Sequence, residues 1–207
     1  LADTTDVRRM IRRSTTPSET FLHASNYKQL GVFVLHGAND DNVPVTEARS
    51  MVSRLDSLHQ DYAYHEQPGV GHWWDLSDAE GTDCVDWAPM FDFFARHRRP
   101  LRDEVRAVSF TTANPGISSR DQWVTVDAQH SQLTPSHIDI QCDPSERRFA
   151  GTTENISRLA LDCDILPAGD TVTVVLDRDT LKSLRPLKNT GPLWLYRNDT
   201  VWQTGKA

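Results

Sequence analysis

The sequence predicts two structural classes in one chain: an α/β segment over residues 1–100 and an all-β, sandwich-like domain over residues 101–207. In the first segment, short apolar runs alternate with stretches of helical periodicity, as in a parallel sheet covered by helices. After Arg98-Arg99-Pro100 no convincing helical period recurs, and short apolar or alternating runs are separated by turn residues. Strands at such spacing are typical of an antiparallel sandwich or barrel. We therefore place the domain boundary near residue 100.

The elements of the α/β segment follow from their hydrophobic periods. Residues 7–13 predict a short helix, and the continuous apolar run 31–35 predicts a strand buried on both faces. Residues 45–59 predict a helix with Thr46 as N-cap, because apolar side chains recur there at helical spacing. Residues 62–66 and 86–97 then predict a strand and a further helix. A strand, a helix and a strand in this order predict a right-handed βαβ unit with parallel strands.

The second half is predicted to consist of strands joined by turns. The apolar or alternating runs that predict these strands are residues 105–111, 123–126, 138–141, 156–161, 171–176 and 193–196. Three tryptophans, Trp123, Trp194 and Trp202, lie in this half. They could form a binding platform for a carbohydrate or peptide, but packing in the core of a sandwich is the better interpretation.

Composition excludes some classes of function. The net charge is −7 and neither half carries a basic patch, so we expect no nucleic-acid partner. No apolar run approaches the roughly 18 residues of a membrane span. The cysteines are odd in number and form no C-x-x-C pair, which argues against zinc. A disulfide between Cys142 and Cys163 is conceivable, although free thiols are the simpler expectation.

Two loops hold the candidate catalytic residues. His36-Gly37-Ala38-Asn39-Asp40-Asp41 follows one predicted strand, and Gly71-His72-Trp73-Trp74 follows the next, about one helix later. Catalytic groups of parallel sheets lie at the carboxyl ends of the strands. We therefore predict Asp40 as the acid and His72 as the base of a Ser-His-Asp triad. His72 would accept and return the serine proton, and Asp40 would fix the tautomer of His72.

The nucleophile of such a triad is missing from the chain. In hydrolases of this order the residues follow as Ser, Asp and His, and the serine lies in a Gly-x-Ser-x-Gly turn. No Gly-x-Ser-x-Gly occurs in the sequence. The chain starts at Leu1 rather than at Met, and its first residues are polar rather than the apolar core of a signal peptide, which fits a fragment or a processed chain. We expect a C-terminal piece of a larger serine hydrolase that is inactive alone.

These residues resemble the prolyl oligopeptidase family, whose members show an apolar strand, His-Gly-x-x-Asp-Asp-x-Val, a helix, a strand and a Gly-His loop. The resemblance covers His36 to Val43 and Gly71-His72, within roughly residues 25–98. It implies the C-terminal part of an α/β-hydrolase parallel sheet, an activated serine and no metal or cofactor. Its register implies that Asp40 is the triad acid and Asp41 a neighbour that shapes the loop. It says nothing about the β-rich half.

Other residues near the base allow two interpretations each. Trp73 and Trp74 could wall a pocket for an apolar substrate group, or pack the loop. An acidic stretch follows them and could bind a substrate amine, but a solvated loop is the preferred interpretation: Asp75, Asp78, Glu80, Asp83 and Asp86. His36 could shape the site, although a structural role is the simpler expectation.

The sequence therefore predicts a serine hydrolase fragment, foremost of a peptidase, that supplies Asp40 and His72 but lacks the serine. The alternatives are a non-catalytic binding or structural module on the same scaffold, or an esterase acting on carbohydrate esters. The expected partners are a peptide or ester substrate and either the missing N-terminal part of the hydrolase or a second chain. A homodimer is a further alternative, because half a parallel sheet exposes an edge and an apolar face. The compartment stays open, with a periplasmic or secreted parent as the expectation.

Overall fold

The structure, a computed structural model, describes residues 3–59, 61–78, 80–186, 191–198 and 200–205. The chain divides into two compact units, of which one is Tyr27–Arg99 and the other joins the chain up to Asn26 with the chain from Pro100 onward. The helix predicted over residues 7–13 therefore groups with the β-rich half, whereas the sequence analysis assigned it to the α/β segment. The assignment of the α/β part to a catalytic domain stays a prediction.

The unit Tyr27–Arg99 contains the predicted strand–helix–strand order. Its elements are β1 (Val32–Gly37), α2 (Val45–Asp56), β2 (Tyr62–Gln67) and α3 (Ala88–Ala95). β1 and β2 pair in parallel, from Val32 opposite Tyr62 to Gly37 opposite Gln67. This pairing brings the carboxyl ends of both strands to the same edge. The wider parallel sheet of an α/β hydrolase stays a prediction, because the remaining sheets are mostly antiparallel.

The two helices of this unit are shorter than predicted. Pro44, not Thr46, occupies the N-cap position of α2 and makes no side-chain capping hydrogen bond, and the helix ends at Asp56, three residues before the predicted end. Glu47 in its first turn and Arg54 in its last turn complement the helix dipole. In α3, Phe93 is buried and meets the ring of Phe33 on β1 edge-on at 5.7 Å between centroids. Aromatic packing therefore anchors α3 to the sheet.

His97 ties the end of this unit to the start of its strands. Its Nδ1 donates to the carbonyl of Phe93 at 2.6 Å, and its Nε2 donates to Asp61 Oδ1 at 2.8 Å. Because both partners accept, the doubly protonated ring is favoured, and the Phe93 carbonyl followed by Asp61 raises the pKa of His97. Gly31 leaves the space for the ring, since a Cβ there would lie 2.5 Å from His97 Cδ2.

The other unit combines a helix with two five-stranded sheets. The helix is α1 (Asp3–Thr15), and the strands are β3 (Ala107–Thr112), β4 (Arg120–Asp121), β5 (Val124–Gln129), β6 (Ser136–Asp143), β7 (Arg148–Glu154), β8 (Ile156–Leu161), β9 (Val172–Leu176), β10 (Asp179–Leu184), β11 (Leu193–Asn198) and β12 (Val201–Thr204). In the described residues the strand orders are β10-β9-β7-β6-β3 and β12-β11-β8-β5-β4. Neighbours are antiparallel except β7 and β9, which are parallel.

One hydrophobic cluster collects buried side chains from both sheets. Trp123 and Trp202 are 0% and 1% exposed, so the core interpretation of these tryptophans is confirmed. The indole N–H of Trp123 donates to the carbonyl of Val105 at 3.0 Å, which satisfies its only polar atom. Trp194 is half-buried on β11.

The segment before Tyr27 joins the β-rich unit through a side chain that imitates a strand. Asn26 Nδ2 donates to the carbonyl of Thr111 at 2.9 Å, and the Thr111 amide donates to Asn26 Oδ1 at 2.8 Å. One asparagine thus pairs with both backbone groups of an edge residue of β3. A sequence pattern contains no signal for such a long-range pair.

No helix in the described part of the chain is long and apolar enough to span a membrane. Cys84, Cys142 and Cys163 are free, so the conceivable disulfide is not formed. Burial raises the pKa of Cys142 to about 11 and that of Cys163 to about 12. Both thiols therefore stay protonated near neutral pH and are poor nucleophiles.

Asp177, which follows β9, fastens the two sheets to each other. Its carboxylate accepts from the Thr153 amide at 2.8 Å and hydroxyl at 2.9 Å on β7. It also accepts from Arg197 at 3.1 Å and from the Trp202 indole at 3.0 Å, on β11 and β12 of the other sheet. Four donors therefore converge on one carboxylate with 19% side-chain exposure.

We expect Asp177→Ala to destabilise the β-rich unit by about 2–4 kcal/mol, because it leaves several partly buried donors unpaired. Asp164→Ala is the matched control, since Asp164 is 69% exposed and meets Arg102 only at 3.4 Å. It should cost about 0.5 kcal/mol or less. Denaturant unfolding of both variants checks this, and equal losses would show that the carboxylate of Asp177 is not the fastening point.

Candidate active site

The candidate site is built on the loops that follow β1 and β2. Two backbone hydrogen bonds join these loops: the Ala38 amide donates to the Gln67 carbonyl at 2.9 Å, and the Asn39 amide donates to the Val70 carbonyl at 2.8 Å. They continue the parallel strand pairing beyond the strand ends. The two loops are thus held side by side before either functional side chain is considered.

Gly37 allows the loops to approach more closely than any other residue would. A Cβ at this position would lie 2.1 Å from the Gly71 carbonyl oxygen and 2.8 Å from that of Val70. Gly69 contributes differently, because its φ of 75° lies in the left-handed region that favours glycine. Gly71 needs neither property: its φ is not positive, and a Cβ there would meet its nearest atom at 3.8 Å.

The structure brings Asp40 and His72 into direct contact. His72 Nδ1 and Asp40 Oδ2 are 2.8 Å apart, and the Asp40 side chain is only 3% exposed. Because the carboxylate can only accept, Nδ1 carries the hydrogen. In neutral His72 the other nitrogen, Nε2, is then the free base. The His72 side chain is 34% exposed, so one buried and one accessible group form the pair.

The remaining contacts of Asp40 keep its carboxylate charged. Burial would raise the pKa of Asp40, but hydrogen bonds from the Val43 amide, His72 and the Asn42 amide, together with the charge of His72, outweigh it and lower the pKa below the ordinary value. Both amides donate to Oδ1 at 2.9 Å. Asp40 itself therefore shapes the loop, a role that the family resemblance implied for the exposed Asp41.

His36 lies next to the same carboxylate and approaches the oxygen that also meets His72. Its Nε2 is 2.9 Å from the Val43 carbonyl and 3.3 Å from Asp40 Oδ2, and its side chain is 14% exposed. A structural role is the simpler expectation for this residue from the sequence. The contact with Asp40 could not be anticipated from the sequence, because it depends on how the loop folds back over the end of β1.

The two tryptophans after His72 differ sharply in exposure. Trp73 is 70% exposed and meets the His72 ring edge-on at 5.2 Å between centroids. Trp74 is 7% exposed, and its carbonyl accepts from the Cys84 amide at 3.2 Å. Exposure beside His72 suits Trp73 to contact a ligand, and burial suits Trp74 to pack the loop. The substrate-binding role of both stays a prediction.

Part of the acidic stretch after Trp74 organises its own loop. Asp83 accepts from the Leu76 amide at 2.8 Å and the Ser77 hydroxyl at 2.7 Å. These bonds, with that of Ser77 as the larger contribution, lower the pKa of Asp83. Within the described part of the chain, no three His, Cys, Asp or Glu side chains are placed to hold a metal ion.

Similarity to known proteins is found in the first half of the chain. Residues 12–99 match the sequence model of the prolyl oligopeptidase family. A curated protein of the fungus Arthroderma benhamiae, described as an uncharacterized secreted protein, is 28% identical over 119 residues, which is 56% of this chain. The chain spans only 12% of the length of that relative. No solved structure matches the chain. The matched segment contains both loops, which supports a relationship to serine hydrolases.

Gly37→Ala should separate the two loops, because the backbone of Gly71 cannot yield the space that a Cβ needs. We expect the free energy of opening at the Ala38 and Asn39 amides, which bridge the loops, to fall by at least about 2 kcal/mol. Hydrogen exchange at these two amides measures it. Gly71→Ala is the matched control and should change exchange by less than about 1 kcal/mol. Equal protection in the two variants would refute the close approach.

Asp40→Asn should cost stability that depends on pH. The folded pKa of Asp40 lies below its unfolded value, so its charge stabilises the fold above that unfolded value, near pH 4, and the contribution disappears as the pH falls through the folded pKa. The difference in unfolding free energy between wild type and Asp40→Asn should therefore shrink below about pH 4. Denaturant titrations between pH 2 and pH 6 check this, and a constant difference would contradict it.

Proposed function

We propose that residues 27–99 supply the acid and the base of a serine peptidase of the prolyl oligopeptidase family. The observation that carries the proposal is the 2.8 Å contact between His72 Nδ1 and Asp40 Oδ2 at the carboxyl ends of two parallel strands. The match of residues 12–99 to the family supports it, and the order Asp before His agrees with that of α/β hydrolases. The nucleophilic serine lies outside this chain.

The proposed reaction is acyl transfer to water in two steps. The serine oxygen attacks the substrate carbonyl while His72 Nε2 accepts its proton, and the same proton passes to the leaving amine as the scissile bond breaks. Water then attacks the acyl-serine, His72 again accepts and returns a proton, and the free acid departs. Asp40 stabilises the imidazolium in both steps and keeps Nδ1 protonated, so that Nε2 faces the reaction.

The surroundings of the pair suit a site that is completed by further polypeptide. We propose that β1 and β2 belong to a larger parallel sheet, because large apolar side chains of this unit stay exposed. Phe91 and Phe94 on α3 are 53% and 46% exposed, and Val85 before it is 57% exposed. Trp73 is proposed to contact an apolar group of the substrate, and the buried Trp74 is proposed to pack the loop.

The β-rich unit is proposed to be an appended, sandwich-like domain. Support comes from its two five-stranded sheets, whose buried side chains share one cluster. A secreted parent protein is proposed from the fungal relative, which is named as secreted. The non-catalytic module and the carbohydrate-ester esterase are outcomes that the experiment below separates from the peptidase.

The proposal is tested with a fluorophosphonate probe, which labels activated serines. The full-length protein that contains this chain should be labelled, and the isolated 207-residue chain should not. His72→Gln should abolish labelling, and Asp40→Asn should slow it about 1,000- to 10,000-fold, because the wrong tautomer of His72 is then stabilised. His65→Gln is the matched control: His65 lies on β2, bonds to Gln67 at 2.7 Å, and should leave labelling unchanged.

The outcomes are distinct. A folded full-length protein that is not labelled would overturn the hydrolase proposal and favour a binding module. Labelling with turnover of acetylated sugars but not of peptide amides would favour the esterase. Labelling of the isolated chain would show that its nucleophile lies within these residues.

A further inference from the structure

The carboxylate of Asp40 has one nitrogen neighbour besides His72 and the two loop amides, and this neighbour is His36. Oδ1 accepts two amide hydrogens, from Asn42 and Val43, each at 2.9 Å. Oδ2 accepts from His72 Nδ1 at 2.8 Å and lies 3.3 Å from His36 Nε2. Four nitrogen atoms thus surround one carboxylate that is only 3% exposed.

The hydrogen position on His36 follows from its neighbours. Nε2 faces two acceptors, the Val43 carbonyl oxygen at 2.9 Å and Asp40 Oδ2 at 3.3 Å. A nitrogen without hydrogen would be repelled by both oxygens, so His36 carries its hydrogen on Nε2. The ring therefore donates across the loop, from the end of β1 to Val43, the residue just before the cap of α2.

The hydrogen bond from His36 to Val43 also affects Asp40, because Val43 contacts both residues. Val43 receives the His36 hydrogen bond on its carbonyl and gives its amide hydrogen to Asp40 Oδ1. With its carbonyl fixed, the peptide chain at Val43 keeps its amide directed at Asp40. Because Oδ1 is fixed in this way, the other oxygen, Oδ2, is held opposite His72.

The charged neighbours of His36 on β2 and α2 are Glu66 and Arg49, which form an ion pair. Glu66 lies opposite His36 in the strand register, and its carboxylate pairs with Arg49 of α2 at 2.6 and 2.9 Å. Arg49 and then the Tyr64 hydroxyl lower the pKa of Glu66 to about 2. Glu66 is paired with Arg49, and the charge of His36 contributes further to its lowered pKa, while the carboxylate that His36 Nε2 meets at 3.3 Å is Asp40.

From this geometry we infer that His36 is a positioning residue of the candidate site, which fixes the Asp40 carboxylate against His72 through Val43 and through Oδ2. The inference rests on the proposed function for its catalytic meaning. The positioning itself is a property of this chain and can be measured without the serine.

The test is nuclear magnetic resonance of the 207-residue chain, with two readouts. The first is the pKa of the Asp40 carboxyl group, followed through the chemical shift of its carboxyl carbon, and the second is the exchange rate of the His72 Nδ1 proton. His36→Leu removes the donor and should raise the pKa of Asp40 by at least about 0.5 and speed proton exchange about tenfold or more. His36→Gln places an amide donor near the position of Nε2 and should restore both values.

Two further variants make the result specific. His65→Leu changes the neighbouring histidine on β2, whose ring stacks on Trp87 at 4.6 Å, and should leave both readouts unchanged. In the Asp40→Asn background, His36→Leu should have no additional effect on the His72 proton, because the two residues act through one carboxylate.

Unchanged readouts in a folded His36→Leu chain would overturn the inference, as would a folded His36→Gln chain that behaves like a loss of the donor. If His36→Leu does not fold, the glutamine variant decides alone. The outcome is independent of probe labelling: an unlabelled parent with a coupled His36 would reject only the hydrolase, and a labelled parent with an uncoupled His36 would reject only the positioning role.

Discussion

The close approach of the two loops at Gly37 is the constraint on which the candidate site depends. Parallel pairing of β1 and β2 brings both strand ends to one edge, but pairing alone would leave room for a side chain between the loops. Because a Cβ at Gly37 would lie 2.1 Å from the Gly71 carbonyl, the loops meet backbone to backbone. The Asp40 carboxylate then lies 2.8 Å from His72 Nδ1. The geometry of the pair is therefore set by main-chain contacts.

Hydrogen bonds to the Asp40 carboxylate stabilise its charge in the position that the backbone sets. A carboxylate that is 3% exposed is costly unless its oxygens are satisfied, and the fold supplies nitrogen donors to both of them. The amides of Asn42 and Val43 belong to the same loop as Asp40, so this carboxylate stabilises the turn that carries it. His72 and His36 approach from outside that turn. The charge that would support an imidazolium is thus retained by local structure and does not rely on solvent.

Sequence patterns predicted what depends on local period and motif. The strand and helix positions of the α/β part, the contact-forming loops around Asp40 and His72, and the burial of Trp123 and Trp202 all follow from hydrophobic spacing or motif order. The patterns missed β4, β10 and β12. They also missed β7, where Gly151 interrupts the strand period, although its missing Cβ is what lets the strand lie against the Asp139 carbonyl. They also missed the pairing of Asn26 with Thr111 and the contact of His36 with Asp40, because each joins residues through tertiary geometry that no period encodes.

The two units differ in how they obtain stability, and the difference bears on the site. The β-rich unit buries a cluster of large side chains from both sheets and fastens them with Asp177. Among the described residues of the other unit, the buried hydrophobic side chains are Ala48, Leu55, Trp74 and Phe93. Such a small core offsets little of the chain entropy that folding must overcome. Its loops are held instead by hydrogen bonds and close backbone contact, whereas Phe91 and Phe94 on α3 remain 53% and 46% exposed. The contact between Asp40 and His72 is thus formed by local hydrogen bonds and does not require a large core in this unit.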